Sequence, residues 1–481
     1  MTTENVLRIQ NVNSRLVSTD TVLKGKLYRG LRAHPKNYWA VQSYIKKRWD
    51  GWKNFFNDKT GIFLSGLVPE VIFSLKTLDR PFEIIDETDR PKWLNQTIDE
   101  DFLDQYRPHG FDPLKLHDFQ PDLVNQGIKY NRGIIRAPTG AGKTFIMISM
   151  IHSLPPGTPV LFLTKGKGLV KQNFDNMRLW GVKNVGLYCD GHKDINDVMC
   201  ATIHPATFEG LKEQLPHFKV IFVDEVHDGV SEVPTDAYRK MIRAAVRIGF
   251  SATPFRYDKK KIDKVHQLTV KGHFGPVLKT KTTESGLLTT KDLQQRGILS
   301  PSNVTVYPVK SPNLAYEPWQ DAVQLGIEQN FEFHKTVVRL ARSRPGRTLV
   351  IVERINQGEY LHQLMPESSW IQGKDSLDTR EPVLEALRKG DKCCAIVMRQ
   401  IITAGIDIKL HNLINAAGGN AVHNLIQQIG RGLRTADDKD ILQFYDFLFM
   451  INPYLWRHSE LRIGTLKDEG HNVTIKEDYD F

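Results

Sequence analysis

The chain has 481 residues, 40% hydrophobic and 25% charged, with no compositionally biased tract, which excludes fibrous and disordered classes and leaves room for two to four domains. Net charge is +10, and residues 1–60 hold twelve Lys/Arg against four Asp/Glu, so the excess gathers at the N-terminus and suits a polyanionic partner. Cys189, Cys200, Cys393 and Cys394 show neither C-x-x-C nor zinc spacing, no apolar run approaches transmembrane length, and the opening MTTENVLRIQ has no basic-then-apolar leader. A reducing cytoplasm is expected, with no structural metal.

In chain order, residues 1–85 interleave basic and aromatic side chains, as in YRGLRAHPKNYW (28–39) and YIKKRWDGWKNFF (44–56). Cations there, Lys46, Lys47 and Arg48 among them, offer salt-dependent attraction for phosphates, and flat rings offer stacking surfaces. Trp49, Trp52, Phe55 and Phe56 also fall at helical spacing, which predicts that about half these rings form a small core. An acidic, turn-rich stretch then reads as a linker over 86–106.

From 107 to 300 short β-branched runs alternate with amphipathic stretches: GIIRA, VLFLT, VGLYC, VMCATI, KVIFVDE and VRIGFSAT. The rhythm resumes within 301–481 at RTLVIVE, CCAIVM, NLINAA and ILQFYDF. Strand followed by helix, repeated, predicts parallel sheets with crossover helices, hence two α/β domains after a small α+β block. The basic run RYDKKKIDKVHQ (256–267) reads either as a wedge-like hairpin or as a solvated loop.

Ala-Pro-Thr-Gly-Ala-Gly-Lys-Thr (137–144) follows GIIRA and opens a helix, the setting of a phosphate cradle. Pro138, Thr139, Gly140, Ala141 and Gly142 would wrap the phosphates; Lys143 would reach the β and γ groups, and Thr144 would ligate Mg²⁺. Ala137 stands where the general pattern has its first glycine. KVIFVDEVH ends a strand in two carboxylates: Asp224 to hold Mg²⁺ and Glu225 to activate the attacking water. ATP with Mg²⁺ is the expected cofactor.

Asp-Glu-Val-His (224–227), SATP (251–254), TAGID (403–407) and QQIGRGLR (427–434) resemble, in order, motifs II, III, V and VI of superfamily 2 helicases. That resemblance implies tandem RecA-like domains, with Gln427, Arg431 and Arg434 as the second wall of the ATP site and Gly405 and Asp407 beside it. It implies a coupling role for His227, Ser251 and Thr253. KLHDFQ resembles the Q motif, which would have Gln120 read adenine. FLTKGKGLVKQ and ATIHPATF resemble motifs Ia and Ib, implying nucleic-acid contacts at Thr164, Lys165 and Thr202, continued by Arg354 and Thr403.

The runs at 49–71 and 274–300 further resemble phage UvsW-type helicases and their XPB- and RecG-related kin. This implies an ATP-dependent DNA helicase or translocase that remodels branched or forked DNA by fork regression and branch migration, in the host cytoplasm if phage-encoded. The alternatives are an RNA helicase, a restriction-type motor subunit, against which the absence of a P-D…(D/E)-x-K nuclease constellation counts, and a non-unwinding DNA-dependent ATPase.

Overall fold

Each apolar run singled out between 132 and 251 forms a strand of five or six residues, ended by Gly, Pro, Asp or Asn in the adjoining turns. The structure, a computed structural model, describes residues 5–258, 261–375, 377–390, 393–399, 401, 410–419 and 441–479. By packing it divides into two units, Met1–Ala137 with Gly142–Leu287, and Pro138–Ala141 with Leu288–Phe481.

In the first unit a seven-stranded sheet runs in the order His192–Lys193, Val185–Cys189, Val198–Thr202, Val160–Thr164, Val220–Asp224, Val246–Ser251, Arg132–Arg136. All neighbours are parallel except the short edge strand His192–Lys193. Every residue of Val160–Thr164 is buried, as a strand covered by helices on both faces must be. Helices Lys143–His152 and Lys167–Leu179 supply crossovers.

The N-terminal block is a four-stranded sheet in the order Ile62–Leu64, Asn13–Ser18, Asn5–Ile9, Glu83–Asp86, packed against helices Thr21–Gly30 and Val68–Thr77. Its core of Leu7, Leu16, Leu27, Phe63 and Val71 also takes in Leu268, from helix Lys264–Phe274 of the α/β sheet's own layer. Two glycines make that junction: a Cβ on Gly66 would meet Lys271 O at 1.9 Å, and one on Gly272 would meet Leu64 Cδ1 at 2.7 Å. Lys271 Nζ adds an ion pair to Glu70 at 2.9 Å.

The stretch expected as a linker is anchored: Leu103 is fully buried, and Trp93 donates its indole N–H to Asn131 Oδ1 at 2.8 Å. Helical spacing at Trp49–Phe56 does not produce a helix. Lys47 (φ 53°) and Gly51 (φ 85°) turn the backbone left-handed on either side of Trp49, and only Phe55 and Phe56 enter the core. The basic run after Arg256 pairs Tyr257–Asp258 with Lys261–Ile262 as a short antiparallel hairpin, then begins helix Lys264–Phe274.

The second unit holds an all-parallel seven-stranded sheet: Ser369–Ile371, Cys394–Met398, Thr348–Val352, Asn412–Asn415, Leu442–Phe449, Ser302–Val309, Asn472–Ile475. Helices Phe331–Ser343, Ile355–Leu364, Leu377–Lys389 and Pro453–Asp468 join its strands. Strands Ser302–Val309, Ser369–Ile371 and Asn472–Ile475 extend the sheet beyond the four that periodicity revealed. The fold is therefore α/β, with two tandem RecA-like parallel-sheet domains after a small α+β block. Among the described residues no helix is long and apolar enough to cross a membrane.

Candidate functional site

Helix Lys143–His152 starts at Gly142, whose φ of 73° a side chain would resist. The missing Cβ also makes room for Gln120, whose Nε2 would lie 2.2 Å from it. Gln120 is buried, and its Oε1 accepts the backbone N–H of His117 at 2.9 Å, so the residue expected to read adenine is fixed beside the loop. Lys143 Nζ donates to Ala137 O at 3.2 Å across the loop, and Thr144 Oγ1 lies 3.4 Å from Asn173 Oδ1. Between them Pro138, Thr139, Gly140 and Ala141 form a turn closed by Ala141 N–H to Pro138 O at 3.2 Å.

Register places the second element at the same edge. Ser251 pairs with Arg136 and Phe250 with Asp224, so the loop after Arg136 and the Asp224–Glu225 pair leave the sheet together, separated by the strand that ends in Ser251. Two strand spacings amount to about 10 Å. Glu225 adopts φ 49°, a costly conformation for a side-chain-bearing residue, which redirects the chain directly after Asp224.

Ser251 joins these pieces. Its hydroxyl donates to Glu225 Oε2 at 3.3 Å and receives the backbone N–H of Thr253 at 3.1 Å. A serine has one proton to give, so at the 2.9 Å contact His227 Nδ1 is the donor. His227 is 2% exposed; burial lowers its pKa to about 4 despite the Asp228 carboxylate, which keeps the ring neutral. Its carbonyl accepts from His266 Nε2 at 2.8 Å, and His266 Nδ1 accepts the N–H of Arg256 at 3.3 Å. The expected coupling residues His227, Ser251 and Thr253 thus form one hydrogen-bonded group with Glu225.

The expected nucleic-acid contacts fare differently. Lys165 is exposed and paired with Asp228 at 3.0 Å. Thr164 is fully buried, with its hydroxyl unbonded, and Thr202 shares a 2.9 Å bond with Thr207. Arg354 is exposed and lies 3.2 Å from Glu328. Lys46, Lys47 and Arg48 are all exposed. Near them in sequence, Arg32 stacks over Trp52 at 4.2 Å and His34 lies against Trp52 and Tyr38 at 3.7 and 4.0 Å, while Trp39 is 63% exposed.

Thr403, Gly405, Asp407, Gln427, Arg431 and Arg434 lie outside the described residues. Sequence reasoning missed a polar brace among the described residues of the second unit. Arg399 pairs with Glu353 at 2.9 Å and bonds Gly418 O; buried Arg462 pairs with Asp446 at 2.8 Å and bonds Gly419 O at 2.6 Å. Nothing in the spacing of Arg462, one of several charges on helix Pro453–Asp468, distinguishes it from a solvated residue. Among the described residues no group of three or more His, Cys, Asp or Glu is arranged to hold a metal ion by itself. Thr144 with Asp224 nonetheless suits Mg²⁺, which takes few protein ligands beside phosphates.

Residues 113–256 match the family described as Type III restriction enzyme, res subunit, and residues 331–436 match the Helicase conserved C-terminal domain. The chain is a superfamily 2 helicase. This helicase is 22% identical over 373 residues to the DNA 3'-5' translocase XPB2 of Sulfurisphaera tokodaii, covering 69% of the chain and 81% of that protein. It is 21% identical over 432 residues to the ATP-dependent DNA helicase uvsW of Enterobacteria phage T4, with 82% of each covered. The fold matches S. cerevisiae Dbp5 bound to RNA and ADP BeF3 with a TM-score of 0.52 at 15% identity, over 76% of the chain and 90% of that protein. The helicase uses ATP as its fuel.

Proposed function

We propose that this helicase is an ATP-driven DNA translocase that remodels branched or forked duplexes. The observation that carries the reading is the shared sheet edge: a Gly142–Lys143–Thr144 loop and an Asp224–Glu225 pair with the Ser251 hydroxyl between them. ATP with Mg²⁺ supplies a phosphoanhydride bond whose cleavage releases energy. Lys143 and the first N–H groups of its helix hold the phosphates, while Thr144 and Asp224 hold the ion. Glu225 orients a water and takes its proton, and Ser251 keeps the carboxylate aimed.

Arg431 and Arg434 would face the same phosphates from the second α/β domain, so that nucleotide binding and cleavage close and open a cleft. DNA as substrate is favoured by the two relatives whose names specify it. Branched DNA is favoured by the N-terminal block, where half-buried Arg32 lies over Trp52, His34 packs on the same ring, and the exposed cations Lys46, Lys47 and Arg48 follow closely in sequence, a set that suits phosphates and unpaired bases at a junction.

Lys143→Ala tests the reading. DNA-stimulated ATP turnover should vanish while DNA binding persists, and retained turnover would refute the assignment of the site. Strand-displacement and branch-migration assays on forks, four-way junctions and RNA duplexes, with and without ATP, test the substrate. Preference for RNA duplexes, or turnover with no strand movement on any substrate, would replace this reading by an RNA helicase or a DNA-dependent ATPase respectively.

A further inference from the structure

Asp228 follows the Asp-Glu-Val-His run, and its carboxylate is a meeting point. Lys165 Nζ lies 3.0 Å from one oxygen, Arg256 Nη2 3.2 Å from the other, and His227 Nε2 3.9 Å away. These partners come from the end of strand Val160–Thr164, the loop after strand Val246–Ser251, and Asp228's own turn. Asp228 is only 20% exposed, whereas Lys165 and Arg256 are 69% and 54% exposed. A carboxylate thus sits in the floor beneath two cations that face solvent. A cleft of about 250 Å³, lined by Lys165, His204, Asp228 and Ser231, opens beside it.

Two oxygens holding one ammonium and one guanidinium is the arrangement a phosphodiester would make with the same cations. We propose that Asp228 is a built-in stand-in for a nucleic-acid phosphate, occupying Lys165 and Arg256 until a strand displaces it. The idea rests on reading Lys165 as a phosphate contact and goes beyond it by naming what the strand competes with. Exposed ion pairs are weak and easily exchanged, so Asp228 holds the cations in place without sealing them off. A phosphate arriving at Lys165 also meets the Asp228 charge, so the two anions compete for the same cations. Asp228 lies in the turn of His227, whose Nε2 is 3.9 Å away, and His227 holds Ser251, which holds Glu225. Asp228 is a positioning residue: it acts through Lys165 and Arg256 and touches no reacting atom.

The test is binding of the full chain to a single-stranded oligonucleotide across a salt series, with the thermal midpoint of each variant measured in parallel. Asp228→Asn should bind about three- to tenfold tighter, as expected for releasing two exposed cations. Its plot of log affinity against log salt should steepen by about one, because a cation formerly neutralised from within now displaces a counterion from the strand. Asp228→Glu, which keeps the charge, should restore the wild-type slope, and Lys165→Ala should abolish most of the gain from Asp228→Asn. A folded Asp228→Asn with unchanged slope and affinity, in a chain that Lys165→Ala weakens, would overturn the proposal alone. Should Lys165→Ala itself change nothing, the reading of Lys165 as a phosphate contact falls too.

Discussion

Ser251 Oγ lies 2.9 Å from His227 Nδ1, a contact that helps tie the end of one strand to the turn after its neighbour. The same oxygen steadies Glu225, so removing it takes one hydrogen bond from the carboxylate and one from a buried ring. Ser251→Ala is expected to lower ATP turnover about tenfold or more, within the range of general-base effects. Affinity for a non-hydrolysable ATP analogue should stay within about twofold, since no phosphate ligand is lost. Single-turnover hydrolysis and analogue titration separate the two.

Acid should destabilise the fold through its buried imidazoles. Burial holds His227, His334 and His471 near 4, against 6.5 for a free ring. Between about 4 and 6.5 the unfolded chain therefore binds more protons than the folded one, and stability rises with pH. The contribution is complete above about 6.5 and is lost as pH falls toward 4, by at most about 1.4 kcal/mol per group per pH unit. Thermal midpoints should be nearly level for these groups from pH 7 to 8.5 and drop steeply between 6 and 4.5. His334→Gln should remove its share of that drop.

Leu268 belongs to a helix of the α/β domain yet completes the N-terminal core. Leu268→Ala should cost about 2–5 kcal/mol, measured by denaturant unfolding with unchanged slope. Gly66→Ala should be at least as harmful despite adding one methyl, because its Cβ would meet backbone oxygen at 1.9 Å, which no side-chain rotation relieves. Both variants should release residues 1–85 to proteolysis before the rest of the first unit.

The exposed triplet Lys46, Lys47 and Arg48 makes a prediction about salt. If all three face phosphates on duplex arms of a fork, replacing them with alanine should reduce the salt slope of fork binding by up to about 3. Trp39→Ala should weaken binding with no change in slope, since a stacking ring releases no counterion. Fluorescence anisotropy at several salt concentrations reads both.

The geometry of the Gly142–Lys143–Thr144 loop and of the Asp-Glu-Val-His strand was legible because it is local: a handful of adjacent residues fixes the turn, the helix start and the strand end. The strands from Arg132 to Ser251 were legible for the same reason, each being a short apolar run between turns. Asp228 was not, because its partners Lys165 and Arg256 lie 63 residues before and 28 residues after it and meet it only when three loops converge. Nor was the double duty of helix Lys264–Phe274, where Leu268 serves one core while its neighbours serve another. At Trp49–Phe56 the periodicity pointed to a helix, but φ at Lys47 and Gly51 is set by tight turns, which overrides spacing.

His266, Leu268 and Lys271 share one rod of about three turns. One end of its contacts grips the carbonyl of His227; the other is wedged into the N-terminal block, where Leu268 enters the core and Lys271 meets Gly66 and Glu70 of the turn and helix over 65–77. On the proposed function, torque applied to that block by a strained DNA junction would have a stiff lever to Glu225 and Ser251, and the engine would feel its load.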